Sequence, residues 1–115
     1  MATITPAPSA RPLLHAPNEK HVFTASVDNA DDLEVPNVAD ATVFVTAVSA
    51  SSDVASLEDG YFAGQILRLC VVNATNVLGL PFGLANLNAT ADVDVSRDAP
   101  ATLMFDGANW QVIAR

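Results

Sequence analysis

The chain is short of positive charge. Its 115 residues include five Lys and Arg against thirteen Asp and Glu, for a formal net charge of −8. Binding to nucleic acid or to an anionic membrane needs clustered cations that neutralise phosphates. Those of this chain are scattered, at Arg11, Lys20, Arg68, Arg97 and Arg115. We therefore expect neither nucleic acid nor membrane as a partner.

Cysteine and long apolar runs are scarce as well. The single cysteine, Cys70, excludes an internal disulfide, and its place in the apolar segment 67–72 predicts a buried core thiol. No apolar run approaches the ~20 residues of a membrane span. The first residues lack the cationic start and apolar stretch of a signal peptide. Synthesis in a reducing cytoplasm is therefore expected.

Sequence motifs for catalysis, phosphate binding and metal binding are also missing. No Gly-rich phosphate loop, Ser elbow or Cys-x-x-Cys motif occurs, and His15 and His21 have no further ligands at metal-site spacing. Asp92 and Asp94 share a strand face and residues 28–32 form an acidic loop, but Ca²⁺ needs more oxygen ligands than either set supplies. The sequence therefore predicts a protein that is not an enzyme, with no catalytic residue, metal ligand or cofactor.

What the chain does contain is a series of short strand patterns. Near its end, residues 101–105 and 110–113 flank Asp106-Gly107, and two apolar runs around an Asp-Gly turn are a strong β-hairpin signal. Trp110 follows this turn, where it is expected to fill the core. Further strands are predicted at 21–27, 41–48, 65–72, 77–80, 82–84 and 92–96.

These patterns give about seven or eight short strands with no evident repeat period. Their spacing is typical of sandwiches and barrels, so we predict an all-β fold, a jelly-roll-like β-sandwich or small barrel. In the strand at 41–48 both faces are half apolar, as in a strand that is covered on both sides. Only 16% of the residues are charged, against a usual ~25%. Together these features predict a homo-oligomer, and a trimer rather than a dimer.

Residues 1–20 differ in composition from the rest. Four of the seven prolines recur there, at positions 6, 8, 12 and 17, and favour extended backbone. We therefore predict an extended, Pro-rich N-terminal arm at 1–20 ahead of a β-sandwich domain at 21–115. Leu13 and Leu14 would anchor this arm on a neighbouring subunit, and a disordered tail is the alternative.

A second candidate interface is the glycine-flanked loop that contains Tyr61 and Phe62. Adjacent residues of an extended segment face opposite ways. Burying both aromatic rings within one small domain is therefore awkward, and we expect a partner to cover at least one of them.

The second half of the chain resembles structural proteins of tailed bacteriophages. The resemblance covers residues 60–115 and rests on the Gly-x-x-apolar-x-Leu pattern at 64–69, the Asn-rich stretch from Asn73, and the strand, Gly-containing turn and Trp at 105–110. A chain of this length with a Pro-rich arm is similar to capsid decoration (cement) proteins. That resemblance implies a virion protein, made in the host cytoplasm, that binds the outside of the capsid. There it would stabilise contacts between subunits of its partner, the major capsid protein.

A trimeric tail-fibre or appendage module that binds host-surface glycan is the alternative. A glycan site combines exposed aromatic rings with Asp or Asn side chains, and Tyr61 with Glu58 and Asp59 is the local match. A fibre module usually continues from a long stalk. Because this chain starts at Met1 with a short arm, decoration is the expected role.

Overall fold

The computed structural model describes residues 2–6 and 21–115, and the described residues form β-strands and loops without a helix. None of them therefore belongs to a helix long and apolar enough to cross a membrane. The all-β prediction is confirmed. The strands are β1 (Thr5–Pro6), β2 (His21–Val27), β3 (Asp32–Leu33), β4 (Asp40–Ala47), β5 (Ser51–Asp53), β6 (Ser56–Leu57), β7 (Ile66–Val71), β8 (Val77–Leu80), β9 (Leu87–Asn88), β10 (Val93–Val95), β11 (Ala101–Phe105) and β12 (Trp110–Ala114).

Two sheets face each other across the core. The large sheet has the order β1-β2-β4-β7-β11-β12-β9, the small sheet has the order β10-β8-β5, and the short pair β3-β6 is separate from both. Val43, Leu69 and Leu103 from the large sheet are fully buried, as are Leu78 and Val95 from the small one. This burial from both sheets confirms the β-sandwich.

The connectivity is that of a short solenoid, so the jelly-roll prediction is wrong. β3, β4 and β5 form a first coil, and β6, β7 and β8 stack on them in parallel as a second coil. Leu33 pairs with Leu57 and Val43 with Leu69, offsets of 24 and 26 residues. A jelly roll is built from antiparallel strands, whereas five of the strand pairs here are parallel. The same pairing shows a structural repeat, although no repeat period is evident in the sequence.

Antiparallel strands cover the second coil. β10 pairs with β8, β11 pairs with β7, and β11 and β12 form the predicted hairpin. In its turn the Asp106 carboxylate accepts hydrogen bonds from the backbone N–H groups of Asn109 (2.7 Å) and Ala108 (2.8 Å). These bonds lower the pKa of Asp106. Gly107 adopts φ 103°, which a residue with a Cβ rarely adopts.

β4 buries one face and leaves the other open, contrary to the expectation that both are covered. Ala41, Val43, Val45 and Ala47 point into the core, while Phe44 lies on the outer face and is 40% exposed. Within residues 2–6 and 21–115, no layer covers the outer face of β4.

Cys70 is on that outer face too, so the prediction of a core thiol is wrong. In β7 the alternation that buries Leu69 and Val71 turns Arg68 and Cys70 outward. Cys70 is half-buried there. This burial raises the pKa of the thiol, and the nearby charge of Arg68 opposes the shift.

The described start of the predicted arm packs on its own domain. Ala2 is buried and forms a parallel bridge with Leu33. Thr5 pairs with Thr24, and their hydroxyl oxygens are 3.0 Å apart. Leu13 and Leu14 lie outside the described residues.

Candidate functional site

A cleft of about 380 Å³ lies where the end of β6 meets the loop between β8 and β9. Ser56 and Asp59 come from the first segment, and Gly83, Leu84 and Asn86 come from the loop. We call it the Asp59–Asn86 cleft. Ala55, Leu57 and Ala85 complete the lining, so its wall is part polar and part apolar.

Asn86 joins the two sides of this cleft. Its side-chain N–H₂ donates to the Leu57 carbonyl (2.7 Å) and to the Asp59 carboxylate (2.8 Å). The backbone carbonyl of Asn86 accepts a hydrogen bond from the backbone N–H of Trp110 (2.7 Å). Asn86 is thereby fixed at three points, and it holds Asp59 in one orientation. A carboxylate has about four lone-pair directions, so Asp59 keeps acceptor capacity for a ligand.

Glu58, the other carboxylate of the predicted glycan match, has a structural role. Its side chain accepts the backbone N–H of Val35 (3.1 Å), and its backbone N–H donates to the Leu33 carbonyl (2.9 Å). Its carbonyl accepts the indole N–H of Trp110 (2.9 Å). Through these hydrogen bonds, Glu58 connects the first coil and the terminal hairpin to the segment that lines the cleft.

The loop at 58–65 is supported from below by Gln65, which is only 1% exposed. Its side-chain oxygen accepts the Tyr61 N–H (2.7 Å), and its N–H₂ donates to the carbonyls of Pro36 (2.8 Å) and Val38 (3.0 Å). A fully satisfied buried amide of this kind fixes local geometry. The backbone that carries Tyr61 is therefore held in place.

Gly60 packs directly on the ring of Phe105. A Cβ at this position would lie 2.3 Å from the ring, closer than real Cβ atoms come. The Phe105 ring in turn lies 5.1 Å from that of the fully buried Trp110, which confirms the predicted core position of the tryptophan. The loop is thus anchored to the aromatic part of the core.

Three aromatic rings remain exposed on the two loops. Tyr61 is 53% exposed and Phe62 is 43% exposed, while Phe82, next to Gly83 of the cleft lining, is 58% exposed. The Phe82 N–H donates to Asp92 (3.1 Å), which fixes the backbone of that loop. The structure places Tyr61 and Phe62 at the surface, and whether a partner covers them stays a prediction.

The cleft offers groups that recognise hydroxyls. It combines a carboxylate acceptor, an amide and a serine hydroxyl with small apolar side chains, and such a mixture is typical of small-molecule sites. Asp59 is the one carboxylate among its lining residues. Within the described residues, no group of three or more His, Cys, Asp or Glu side chains is arranged to hold a metal ion.

A second, shallower cleft of about 310 Å³ lies on the other side of β9 and is lined in part by Asn88, Thr90, Asp92 and Arg115. The Arg115 guanidinium donates to the Asp94 carbonyl (2.8 Å). We place the candidate site in the first cleft because it is the larger of the two and because Asn86 holds its carboxylate in place.

Sequence reasoning found one half of this site. It singled out Asp59 and Tyr61, which are close in sequence, but missed Asn86, Ser56 and Phe82. Asn86 is 27 residues from Asp59, and the loop that follows β8 of the second coil brings it there. Nothing in the sequence around Asn86 indicates this contact. The exposed Phe82 had a signal, since Pro81 and Gly83 flank it as in a turn.

Taken together, these features define a small, all-β module with a preformed surface cleft. A family model matches residues 27–111, nearly three quarters of the chain, and describes the phage depolymerase C-terminal beta sandwich domain. The chain belongs to this family and is a bacteriophage structural protein with a β-sandwich domain. No curated protein and no solved structure gives a significant match.

The family assignment bears on the two functions considered from the sequence. It confirms the phage origin and the β-sandwich, but it does not extend to capsid decoration. A domain that occurs in depolymerases fits the appendage alternative better than the capsid role. Attachment to the major capsid protein, the trimeric state and the lack of enzymatic activity stay predictions.

Proposed function

We propose that this protein is a non-catalytic module of a bacteriophage tail appendage and that it binds host-surface glycan in the Asp59–Asn86 cleft. The observation that carries the proposal is the hydrogen-bonded pair of Asp59 and Asn86 in the cleft, whose lining loop continues from the exposed Phe82. Membership in a family named for phage depolymerases supports the same class of ligand, because a depolymerase acts on a polymer.

The chemistry of the cleft suits a sugar. A pyranose presents hydroxyls at its edge and C–H groups on its faces. Asp59 accepts hydrogen bonds from hydroxyls, and Ser56, whose hydroxyl donates to the Asp32 carboxylate (2.7 Å), can accept one. The exposed ring of Phe82 supplies an apolar platform for a sugar face. Because Asn86 already fixes Asp59, little side-chain entropy is lost on binding.

The carboxylates support binding without cleavage. Most glycosidases use two carboxylic groups that flank the scissile bond, whereas the lining of this cleft has Asp59 alone. The nearby Glu58 accepts a backbone hydrogen bond from Val35 instead. This arrangement supports a module that holds a glycan without cleaving it.

The net charge restricts the kind of glycan. At −8 the protein repels polyanions, and the carboxylate of Asp59 in the cleft adds to this repulsion. We therefore expect neutral host polysaccharide to bind in preference to acidic capsule.

The test is a binding measurement on the isolated chain. Isothermal titration calorimetry with neutral polysaccharide fragments prepared from the host surface should show saturable binding to the wild type. Phe82→Ser and Asp59→Asn should each weaken the affinity about tenfold, since one stacking or hydrogen-bonding contact contributes roughly 1–1.5 kcal/mol. Asp98→Asn, an exposed carboxylate in the loop between β10 and β11, is the matched control and should bind like the wild type.

Two results would contradict the proposal. One is a wild type that binds no fragment of the host polysaccharides. The other is binding that Phe82→Ser and Asp59→Asn leave unchanged, which would exclude the cleft as the site. A loss of affinity on changing Thr90 or Asn88 instead would assign binding to the second cleft.

Location in the virion separates the appendage from the capsid role. Immunogold labelling of intact phage should place the protein on the tail. Labelling over the whole capsid surface would favour the decoration function expected from the sequence.

A further inference from the structure

The polar side chains of the Asp59–Asn86 cleft differ in which hydrogen-bonding groups they have left for a ligand. Three polar side chains line the cleft, those of Ser56, Asp59 and Asn86, and the other lining residues are Ala, Leu and Gly. A sugar hydroxyl can donate or accept, so a cleft that offers both kinds of group does not select among sugars. Its selectivity therefore depends on which hydrogens of these three side chains are already engaged.

Both hydrogens of the Asn86 side-chain amide are engaged inside the protein. They bond to the Leu57 carbonyl (2.7 Å) and to the Asp59 carboxylate (2.8 Å). Because both partners are acceptors, the N–H₂ group must face them and the side-chain oxygen must take the other branch of the amide. Within residues 2–6 and 21–115, that oxygen accepts no hydrogen bond. The Asn86 side chain can therefore offer a ligand an acceptor but no donor.

The Ser56 hydroxyl is engaged in the same way. It donates its one hydrogen to the Asp32 carboxylate (2.7 Å), and the parallel pairing of Asp32 with Ser56 between β3 and β6 holds the two side chains together. A carboxylate can only accept, so the direction of this hydrogen bond is fixed. The Ser56 oxygen keeps its acceptor capacity and has no hydrogen left for a ligand.

Asp59 completes this set of acceptors and adds negative charge. One of its oxygens accepts from Asn86, and the remaining lone pairs are available to a ligand. Among the described residues, no Lys, Arg or His lines the cleft, while a second carboxylate, that of Asp32, is bonded to Ser56. The net charge of −8 acts in the same direction. A ligand group that only donates hydrogen bonds and carries a positive charge therefore matches these side chains best.

We infer that the Asp59–Asn86 cleft selects an amino sugar whose amine is unacetylated and protonated. An ammonium group has three donors, no acceptor and one positive charge, so it complements the acceptors of Ser56, Asp59 and Asn86. A hydroxyl in its place donates a single hydrogen bond. An N-acetyl group brings a carbonyl, for which none of the three polar side chains has a donor. The inference rests on the proposed glycan function and names the class of sugar that the cleft favours.

The test compares sugars that differ at one position. Chemical-shift titrations of ¹⁵N-labelled protein at about pH 6, where an amine is protonated, follow the side-chain N–H₂ of Asn86. Glucosamine and galactosamine should each bind about fivefold more tightly than glucose and galactose, the upper range for an exposed ion pair. N-acetylglucosamine should bind no more tightly than glucose. The preference for the amine should shrink at about 1 M NaCl, where the Debye length is ~3 Å, and EDTA in every sample excludes a bound metal ion.

Two variants and a simple amine complete the experiment. Asp59→Asn removes the charge and should abolish the preference, whereas Asp98→Asn changes an exposed carboxylate of another loop and should retain it. Ethylamine carries the charge without a sugar ring and should bind more weakly than glucosamine.

Four results overturn the inference: equal affinity for amino and neutral sugars, a preference that Asp59→Asn retains, ethylamine that binds as tightly as glucosamine, or no shift at Asn86 with any of these sugars. The glycan function is judged separately. If host polysaccharide fragments bind and lose affinity in Asp59→Asn and Phe82→Ser, that function stands and the choice of sugar alone is wrong.

Discussion

Trp110→Phe is the sharpest test of how the terminal hairpin supports the cleft. Trp110 is fully buried, and its indole N–H donates to the carbonyl of Glu58, one residue before Asp59. The phenyl ring can keep the contact with Phe105 but cannot make this hydrogen bond. The substitution therefore removes one hydrogen bond and reduces the side-chain volume, and it leaves the aromatic packing in place.

The cost follows from two contributions. The smaller ring leaves about 40 Å³ unfilled, which at ~24 cal/mol per Å³ costs about 1 kcal/mol. The buried carbonyl of Glu58 loses its donor, which costs ~1–3 kcal/mol. Together they lower the free energy of unfolding by about 2–4 kcal/mol, a large fraction of the ~5–15 kcal/mol of a typical domain.

Urea unfolding monitored by far-UV circular dichroism measures this loss, because the variant has no tryptophan fluorescence. Phe105→Leu is the control: it alters the neighbouring ring without breaking a hydrogen bond and should cost less than about 1.5 kcal/mol. A loss below ~1 kcal/mol for Trp110→Phe would refute the reasoning. It would show that the Glu58 carbonyl finds another donor and that the hairpin does not hold the cleft segment.

Three further predictions concern the loops around the site. Gly60→Ala should destabilise the protein by about 1–3 kcal/mol, since the new Cβ collides with the Phe105 ring, whereas Gly83→Ala enters open space and should be nearly neutral; thermal melts compare the two. Gln65→Leu removes three hydrogen-bond partners and should cost about 3 kcal/mol in urea unfolding and weaken glycan binding with it. Hydrogen bonds from Ser49 and the Asn29 N–H lower the pKa of Asp28, and the hairpin N–H groups lower that of Asp106. Each depressed pKa contributes stability that is complete above the usual value of 3.8 and is lost as pH falls through the folded value. Acid titration should therefore show a loss of stability below about pH 3.8 that is smaller in the Asp28→Asn, Asp106→Asn double variant.

The strands could be read from the sequence because each carries its own local signal. The strand patterns at 65–72 and 92–96 located β7 and β10, and the Asp-Gly turn located the terminal hairpin. The exposure of Cys70 could also have been predicted from the alternation in β7. Arg68 is two residues away on the same strand face, so the alternation that exposes Arg68 also exposes Cys70.

The order and direction of the strands could not be read in the same way. Alternation is identical in a parallel and an antiparallel strand, so it does not distinguish a coil from a hairpin. The repeat is also weak at the level of residue identity. Leu33-Glu34 recurs as Leu57-Glu58, but the offset changes from 24 to 26 residues before β4 and β7. That extra length belongs to the loop that carries Tyr61 and Phe62.

The difference between the two coils explains where the candidate site lies. Both coils place a Leu-Glu pair at the same point of the stack, yet only the second continues into the longer loop supported by Gln65. In the first coil Glu34 precedes Val35, whose N–H is bonded to the Glu58 side chain of the second. One glutamate position thus binds the coils together, and the next residue, Asp59, is free to turn toward Asn86. A regular solenoid would repeat the first coil here, whereas the inserted residues lengthen the loop that follows Asp59 and exposes Tyr61 and Phe62. The stack positions the segment at 56–59, and the loop after β8 brings Asn86 to it, so that the two segments together form the cleft.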